Sequence, residues 1–130
     1  MNLRYAYTRL NVENFQACKA FYRDVLGLAV KFDDEMEEYV EFDTGSTQIT
    51  LFNRQKLGEF VTDDDGLTFE RHSGRIVLSF MVNDLDATLA ELKNQGIELL
   101  NPPTQYSDRN FISTCFRDPD GNLIELEQLS

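Results

Sequence analysis

This sequence predicts an α+β fold of two tandem strand–helix–three-strand modules, and three observations carry the prediction. The first is an internal repeat: Leu10-Asn11-Val12-Glu13-Asn14-Phe15 aligns with Phe80-Met81-Val82-Asn83-Asp84-Leu85. Gly27-Leu28-Ala29-Val30 likewise aligns with Gly96-Ile97-Glu98-Leu99, at a spacing one residue shorter. The second is that each repeat holds a polar cap, an apolar helical stripe and a glycine stop. The third is the stretch Phe116-Arg117-Asp118-Pro119-Asp120-Gly121-Asn122-Leu123-Ile124-Glu125-Leu126-Glu127, which reads as strand, tight turn and returning strand. Each sheet can bury one face under its own helix. The other faces can curve toward one another into a partly open mixed-sheet barrel around a cleft.

Taken in order, residues 5–12 alternate: Tyr5, Tyr7 and Arg9 on one side, Ala6, Thr8 and Leu10 on the other, with Val12 continuing the second side. Asn14 caps a helix expected over 14–26, where Phe15, Cys18, Tyr22, Val25 and Leu26 form the apolar stripe and Gly27 ends it. Strands are expected at 28–33, 38–43 and 47–53, the last two joined around Thr44-Gly45-Ser46. Residues 54–74 break the pattern. Their run Thr62-Asp63-Asp64-Asp65-Gly66 lacks calcium-loop ligand spacing and reads as a solvated linker, which leaves the lone His72 incidental. The second module restarts with a strand at 75–82. Asp84 then caps a helix bearing Leu85, Leu89 and Leu92, Gly96 stops it, and strands are expected at 97–100, 111–117 and 122–127. One domain over 1–130 therefore divides into modules 1–53 and 75–130 joined by 54–74.

In the closing stretch Pro119 suits the second position of a type I turn, Asp118 the first, and Gly121 the positive φ that leaves it. From Leu123 onward Glu125 and Glu127 oppose Ile124 and Leu126. If the Ile/Leu side packs on helices, Glu125 faces the concave side.

Composition narrows the function. A net charge of −11 over 130 residues excludes a nucleic-acid surface, which needs basic residues. Forty-two per cent hydrophobic and 12% aromatic residues exclude a disordered acidic tail. An acidic surface suits a cationic ligand, or simply solubility. No secretory leader and no membrane span is expected. Cys18 and Cys115 lack CxxC spacing and fall inside expected elements, so free thiols in a cytoplasmic protein are expected.

The paired modules, the segment Ala20-Phe21-Tyr22-Arg23-Asp24-Val25-Leu26-Gly27-Leu28 and the stretch from Asp118 to Glu125 resemble the vicinal-oxygen-chelate superfamily. That group contains glyoxalase I, extradiol dioxygenases, fosfomycin-resistance transferases and bleomycin-resistance binding proteins. The resemblance covers nearly all of the chain outside 54–74. It implies the fold and a homodimer, but hosts several unrelated activities. It also implies where metal-dependent members place four ligands: Tyr7, Ile49 or Thr50, Val77 and Glu125. Only Glu125 suits nickel, zinc, iron or manganese.

Two function classes follow. In the first, the chain is a metal-free binding protein that sequesters a cationic or aromatic small molecule, with no cofactor. Its cleft is lined by Tyr5, Tyr7, Arg9, Ser79, Met81 and Glu125, and an Arg9–Glu125 pair fills the vacated metal position. In the second, it is a divalent-metal-dependent lyase or dioxygenase with an atypical site, and Glu125 moves the proton. The roles of Arg109, in the polar loop 106–110, and of Arg117 stay open at this point.

Overall fold

The computed structural model describes residues 1–59, 74–105 and 110–130. The aspartate run at 62–66, His72 and Arg109 lie outside them. The chain divides into two compact units, Met1–Phe69 and Glu70–Ser130.

The first unit comprises β1 (Thr8–Val12), α1 (Phe15–Ala20), β2 (Ala29–Asp34), β3 (Tyr39–Asp43) and β4 (Gln48–Asn53). They form one sheet in the order β1-β4-β3-β2, with β1 parallel to β4 and the other pairs antiparallel. β1 starts at Thr8 rather than at residue 5, because its partner among the described residues, β4, begins at Gln48 and the chain upstream runs past the end of the ladder. The Asn14 side chain accepts from Ala17 N at 3.1 Å and starts α1 as the sequence requires.

The expected continuous helix is interrupted. Phe21–Val25 forms a π-helical turn in which Leu26 N donates to Phe21 O at 3.0 Å. This turn absorbs the extra residue of the first repeat. The closing bond from Leu28 N reaches back six residues to Tyr22 O, whereas its counterpart from Ile97 N reaches five, to Leu92 O. Phe21 and Tyr22 are both buried as a result, meeting edge to face at 5.4 Å, and Tyr22 packs on Phe42 at 6.0 Å. With Val12, Phe15, Cys18, Val40 and Leu51 they make the first core.

The linker expected from residue 54 begins instead as a 3-10 helix, Arg54–Glu59. Asn53 Oδ1 accepts from Gln55 N at 2.9 Å, Arg54 pairs with Glu13 at 3.3 Å and Lys56 donates to Met36 O. These side-chain ties hold a turn that hydrophobic periodicity cannot reveal.

The second unit repeats the topology with β5 (Val77–Met81), α2 (Leu85–Asn94), β6 (Thr104–Gln105), β7 (Phe111–Arg117) and β8 (Leu123–Leu129), in the order β5-β8-β7-β6. Again the first strand is parallel to the last. Asp84 caps α2 by accepting from Ala87 N at 3.0 Å, and Gly96 leaves it at φ 79°. The strand expected at 97–100 is absent and β6 comes later. Pro102 and Pro103 offer no N–H to a ladder, and Asn101 Oδ1 takes Cys115 N at 3.1 Å instead. Leu85, Leu92, Phe116, Ile124 and Leu126 form the second core.

Candidate functional site

The face of each sheet turned away from its helix carries the polar and aromatic side chains. In the first unit the helix side is fixed by Tyr22 on Phe42, and by Lys19 pairing with Asp33 at 2.5 Å and with Glu35. Strand register then places two rows on the opposite face. One row runs Arg9, Thr50, Glu41, Phe32, and the next runs Asn11, Phe52, Tyr39, Asp34. Phe32 joins this face because a β-bulge between Val30 and Phe32 shifts the register by one residue.

Within the rows, the Arg9 guanidinium lies 5.5 Å from the centroid of the Phe52 ring, a cation–π contact. The Tyr39 ring packs on Phe52 at 6.2 Å and on Phe32 at 6.1 Å. Its hydroxyl donates to Glu41 Oε2 at 2.6 Å. Burial, then the Glu41 carboxylate, push the Tyr39 phenol far above the ordinary tyrosine range, with Tyr7 adding to the same effect and the Thr50 hydroxyl opposing it weakly. Tyr7 is therefore close to this cluster. Tyr5 stands apart: it precedes β1, is largely exposed, and hydrogen-bonds the Thr8 hydroxyl.

Of the buried polar atoms on this face, Asn11 Oδ1 has no hydrogen-bond partner among the described residues, and Thr50 Oγ1 makes no hydrogen bond of good geometry although it lies close enough to the Tyr39 hydroxyl to act on it. Buried polar atoms are normally satisfied by protein or by water, so these two mark where this face has acceptor capacity to spare.

In the second unit the corresponding row runs Ser79, Glu125, Cys115. Ser79 Oγ donates to Glu125 Oε1 at 3.0 Å, which orients the carboxylate. Glu125 does oppose the buried Ile124 and Leu126, as the alternation requires. Met81 is on the same side, 61% exposed. Cys115 is a free thiol; burial and then the Glu125 carboxylate raise it above the ordinary cysteine value, against a smaller opposing effect of Arg117. Arg117 Nη1 donates to Gly121 O at 2.8 Å, so one of its roles is to brace the Asp118 turn.

The structure thus gathers Tyr7 and Arg9 in one unit and Ser79, Met81 and Glu125 in the other. Each of the last-named pair Arg9 and Glu125 has a described contact within its own unit. Sequence reasoning overlooked Tyr39, Glu41, Phe52, Asn11 and Cys115. The signal for Glu41 was present: a hairpin turning at 44–47 sets Asp43 against Gln48 and therefore Glu41 against Thr50.

Register also settles the position that had been open between Ile49 and Thr50. Ile49 pairs with Phe42 on the helix side, and Thr50 lies on the opposite face. The four positions that the resemblance assigns to metal ligands are then Tyr7, Thr50, Val77 and Glu125, a phenol, an alcohol, an alkyl group and one carboxylate. This donor set does not fit a divalent cation. Among the described residues, no group of three or more His, Cys, Asp or Glu side chains is placed to hold a metal ion.

Known proteins match the chain along nearly all of its length. The Glyoxalase/Bleomycin resistance protein/Dioxygenase superfamily profile matches residues 4–126. YraH of Bacillus subtilis (strain 168), itself uncharacterized, is 33% identical over 121 residues, 93% of this chain and 94% of that protein. Among solved structures, a protein of unknown function from Agrobacterium tumefaciens str. C58 superposes with a TM-score of 0.78 at 25% identity, covering 100% of this chain and 97% of that one. A lactoylglutathione lyase from Agrobacterium tumefaciens gives 0.75 at 21% identity, over 98% and 95% of the two chains. At that identity the likeness concerns the fold.

Proposed function

The chain belongs to the Glyoxalase/Bleomycin resistance protein/Dioxygenase superfamily, and from that membership we propose that it binds a small cationic or aromatic molecule without a metal and without transforming it. The observation that carries this proposal is the donor set: three of the four positions that the resemblance assigns to metal ligands hold Tyr7, Thr50 and Val77. Aromatic rings interleaved with a few polar groups are the usual chemistry of a small-molecule site. A net charge of −11 favours a cationic guest by long-range attraction, which salt weakens.

A second function, a metal-dependent lyase or dioxygenase, is favoured by one feature alone, the Glu125 carboxylate oriented by Ser79. A cytoplasmic homodimer remains part of the proposal, supported by the family resemblance and checked by light scattering and fractionation.

Thermal melts separate the two functions. Chelator, nickel, zinc, manganese and iron(II) are expected to leave Tm unchanged, while a screen of aromatic amines finds a stabilising ligand. A ligand at a thousand times its Kd adds about 4 kcal/mol, or roughly 10 °C or more in Tm. A metal-dependent shift of that size, abolished in Glu125→Gln, overturns the metal-free assignment.

A further inference from the structure

From the hydrogen bonds on the face of the first sheet turned away from its helix we infer that the guest is an amine-type cation that brings N–H donors, and that Glu41, Thr50 and Asn11 form its polar subsite. The inference rests on the small-molecule binding proposed above and assigns to it a chemical class and a location.

The spare hydrogen-bonding capacity on this face is mostly acceptor capacity. Asn11 Oδ1 can only accept. Glu41 receives the Tyr39 hydroxyl on Oε2, which leaves Oε1 as an acceptor beside it. Thr50 Oγ1, on a residue that is 0% exposed, can turn its proton toward the neighbouring Tyr39 hydroxyl and keep its lone pairs to accept. Thr50 and Glu41 are direct cross-strand partners, so their side chains stand about 5 Å apart. Asn11 sits two residues along β1 from Arg9, the partner of Thr50 on its other side.

A donor-bearing cation satisfies such a set better than a neutral or anionic guest, because only it also matches the Glu41 charge. An anion would meet the Glu41 carboxylate, and a guest with acceptors only would leave the same atoms orphaned. A primary ammonium offers three donors and an amidinium four, with a charge opposite to that of Glu41. The rings are in place for the body of such a molecule. Tyr39, Phe52 and Phe32 form a continuous aromatic strip beside Glu41, and at its rim Phe32 and Tyr7 are 50% and 41% exposed. Arg9, the one cation in these rows, lies two strands from Glu41 and has its guanidinium over Phe52, on the far side of Thr50. It confines the ammonium to the Glu41 end.

The test uses a matched series, benzylammonium, benzamidinium, benzyltrimethylammonium and benzyl alcohol, titrated calorimetrically into the full chain. Benzyltrimethylammonium keeps the ring and the charge and has no N–H. Benzylammonium and benzamidinium are expected to bind at least tenfold more tightly than benzyltrimethylammonium, and benzyl alcohol more weakly still. Glu41→Gln is expected to abolish the preference. Thr50→Val, which is close to isosteric, is expected to weaken benzylammonium severalfold without lowering Tm. Equal binding of the ammonium and trimethylammonium probes leaves the orphan atoms to internal water and overturns the inference while the binding function stands. This comparison holds on the unmutated chain whether or not a variant folds. No binding by any of the four at millimolar concentration overturns both.

Discussion

Cys115 shows how one residue's surroundings decide its chemistry. It is cross-strand from Glu125, and burial together with that carboxylate holds its thiol protonated. At neutral pH its alkylation by iodoacetamide, followed by mass spectrometry, is expected to run well below the rate of a free thiol. Glu125→Gln removes one of the two causes and is expected to speed it severalfold, with burial keeping it below the free-thiol rate. An unchanged rate in Glu125→Gln would mean the carboxylate does not act on the thiol. At this scale the sequence was half legible. Alternation placed Glu125 opposite Ile124 and Leu126, because a period of two needs no knowledge of partners. It could not place Cys115 beside Glu125, or Thr50 beside Glu41 and Arg9, because those neighbours depend on register across two strand pairs. Phe32 was hidden for a further reason: its face is reversed by the bulge after Val30, which leaves no mark on hydrophobic periodicity.

Elements are held by local devices that sequence patterns register unevenly. The Asp118 turn is the fully legible one. Its buried carboxylate accepts from Asp120 N at 2.9 Å, from Asn122 N at 2.8 Å and from Asn122 Nδ2 at 2.8 Å, while Gly121 adopts φ 90°. Asp118→Ala orphans these donors and is expected to cost about 2–3 kcal/mol in urea melts, with Asp118→Asn costing less because one acceptor remains. Equal stability of Asp118→Ala and the parent would show the turn to be held by Pro119 and Gly121 alone. The first helix was less legible, since its π turn differs from an α turn by one residue and keeps the same apolar stripe. Lys19 anchors that element from 4% exposure. Desolvation lowers its pKa, but hydrogen bonds to Asp33 and then Glu35 outweigh this and leave it raised. Glu35 is correspondingly lowered, by Lys19 first and Gln16 next. A raised lysine stabilises fully below its ordinary range and loses the contribution as pH climbs through the folded value. A lowered glutamate stabilises above its ordinary range and loses the contribution as pH falls. Stability from this cluster is thus expected to be flat through neutral pH and to fall at both extremes. Lys19→Met is expected to flatten both limbs, and since Asp33 and Glu35 keep contact with solvent the loss at neutral pH is small.

The whole molecule is two copies of one topology, and the repeat was readable because each copy carries the same punctuation: a cap at Asn14 or Asp84, a glycine at 27 or 96, and a first strand lying parallel to the last. Resemblance added that family members use both copies to build one site. Whether the two copies here are coupled through charge is a separate physical question, because Arg9 and Glu125 each have a contact within their own unit, the Phe52 ring and the Ser79 hydroxyl. A double-mutant cycle on Arg9→Ala and Glu125→Ala isolates the term that belongs to the pair. If the guanidinium and the carboxylate share a desolvated space, each single change orphans a charge, and the double change costs less than the sum by more than about 1 kcal/mol. Additivity within about 0.5 kcal/mol means the charges act independently, each satisfied inside its own sheet. The expected outcome is coupling. Glu125, at the one retained metal-ligand position, is half-buried and held by the neutral Ser79 hydroxyl among the described residues, and a cation sharing its space would stabilise it further.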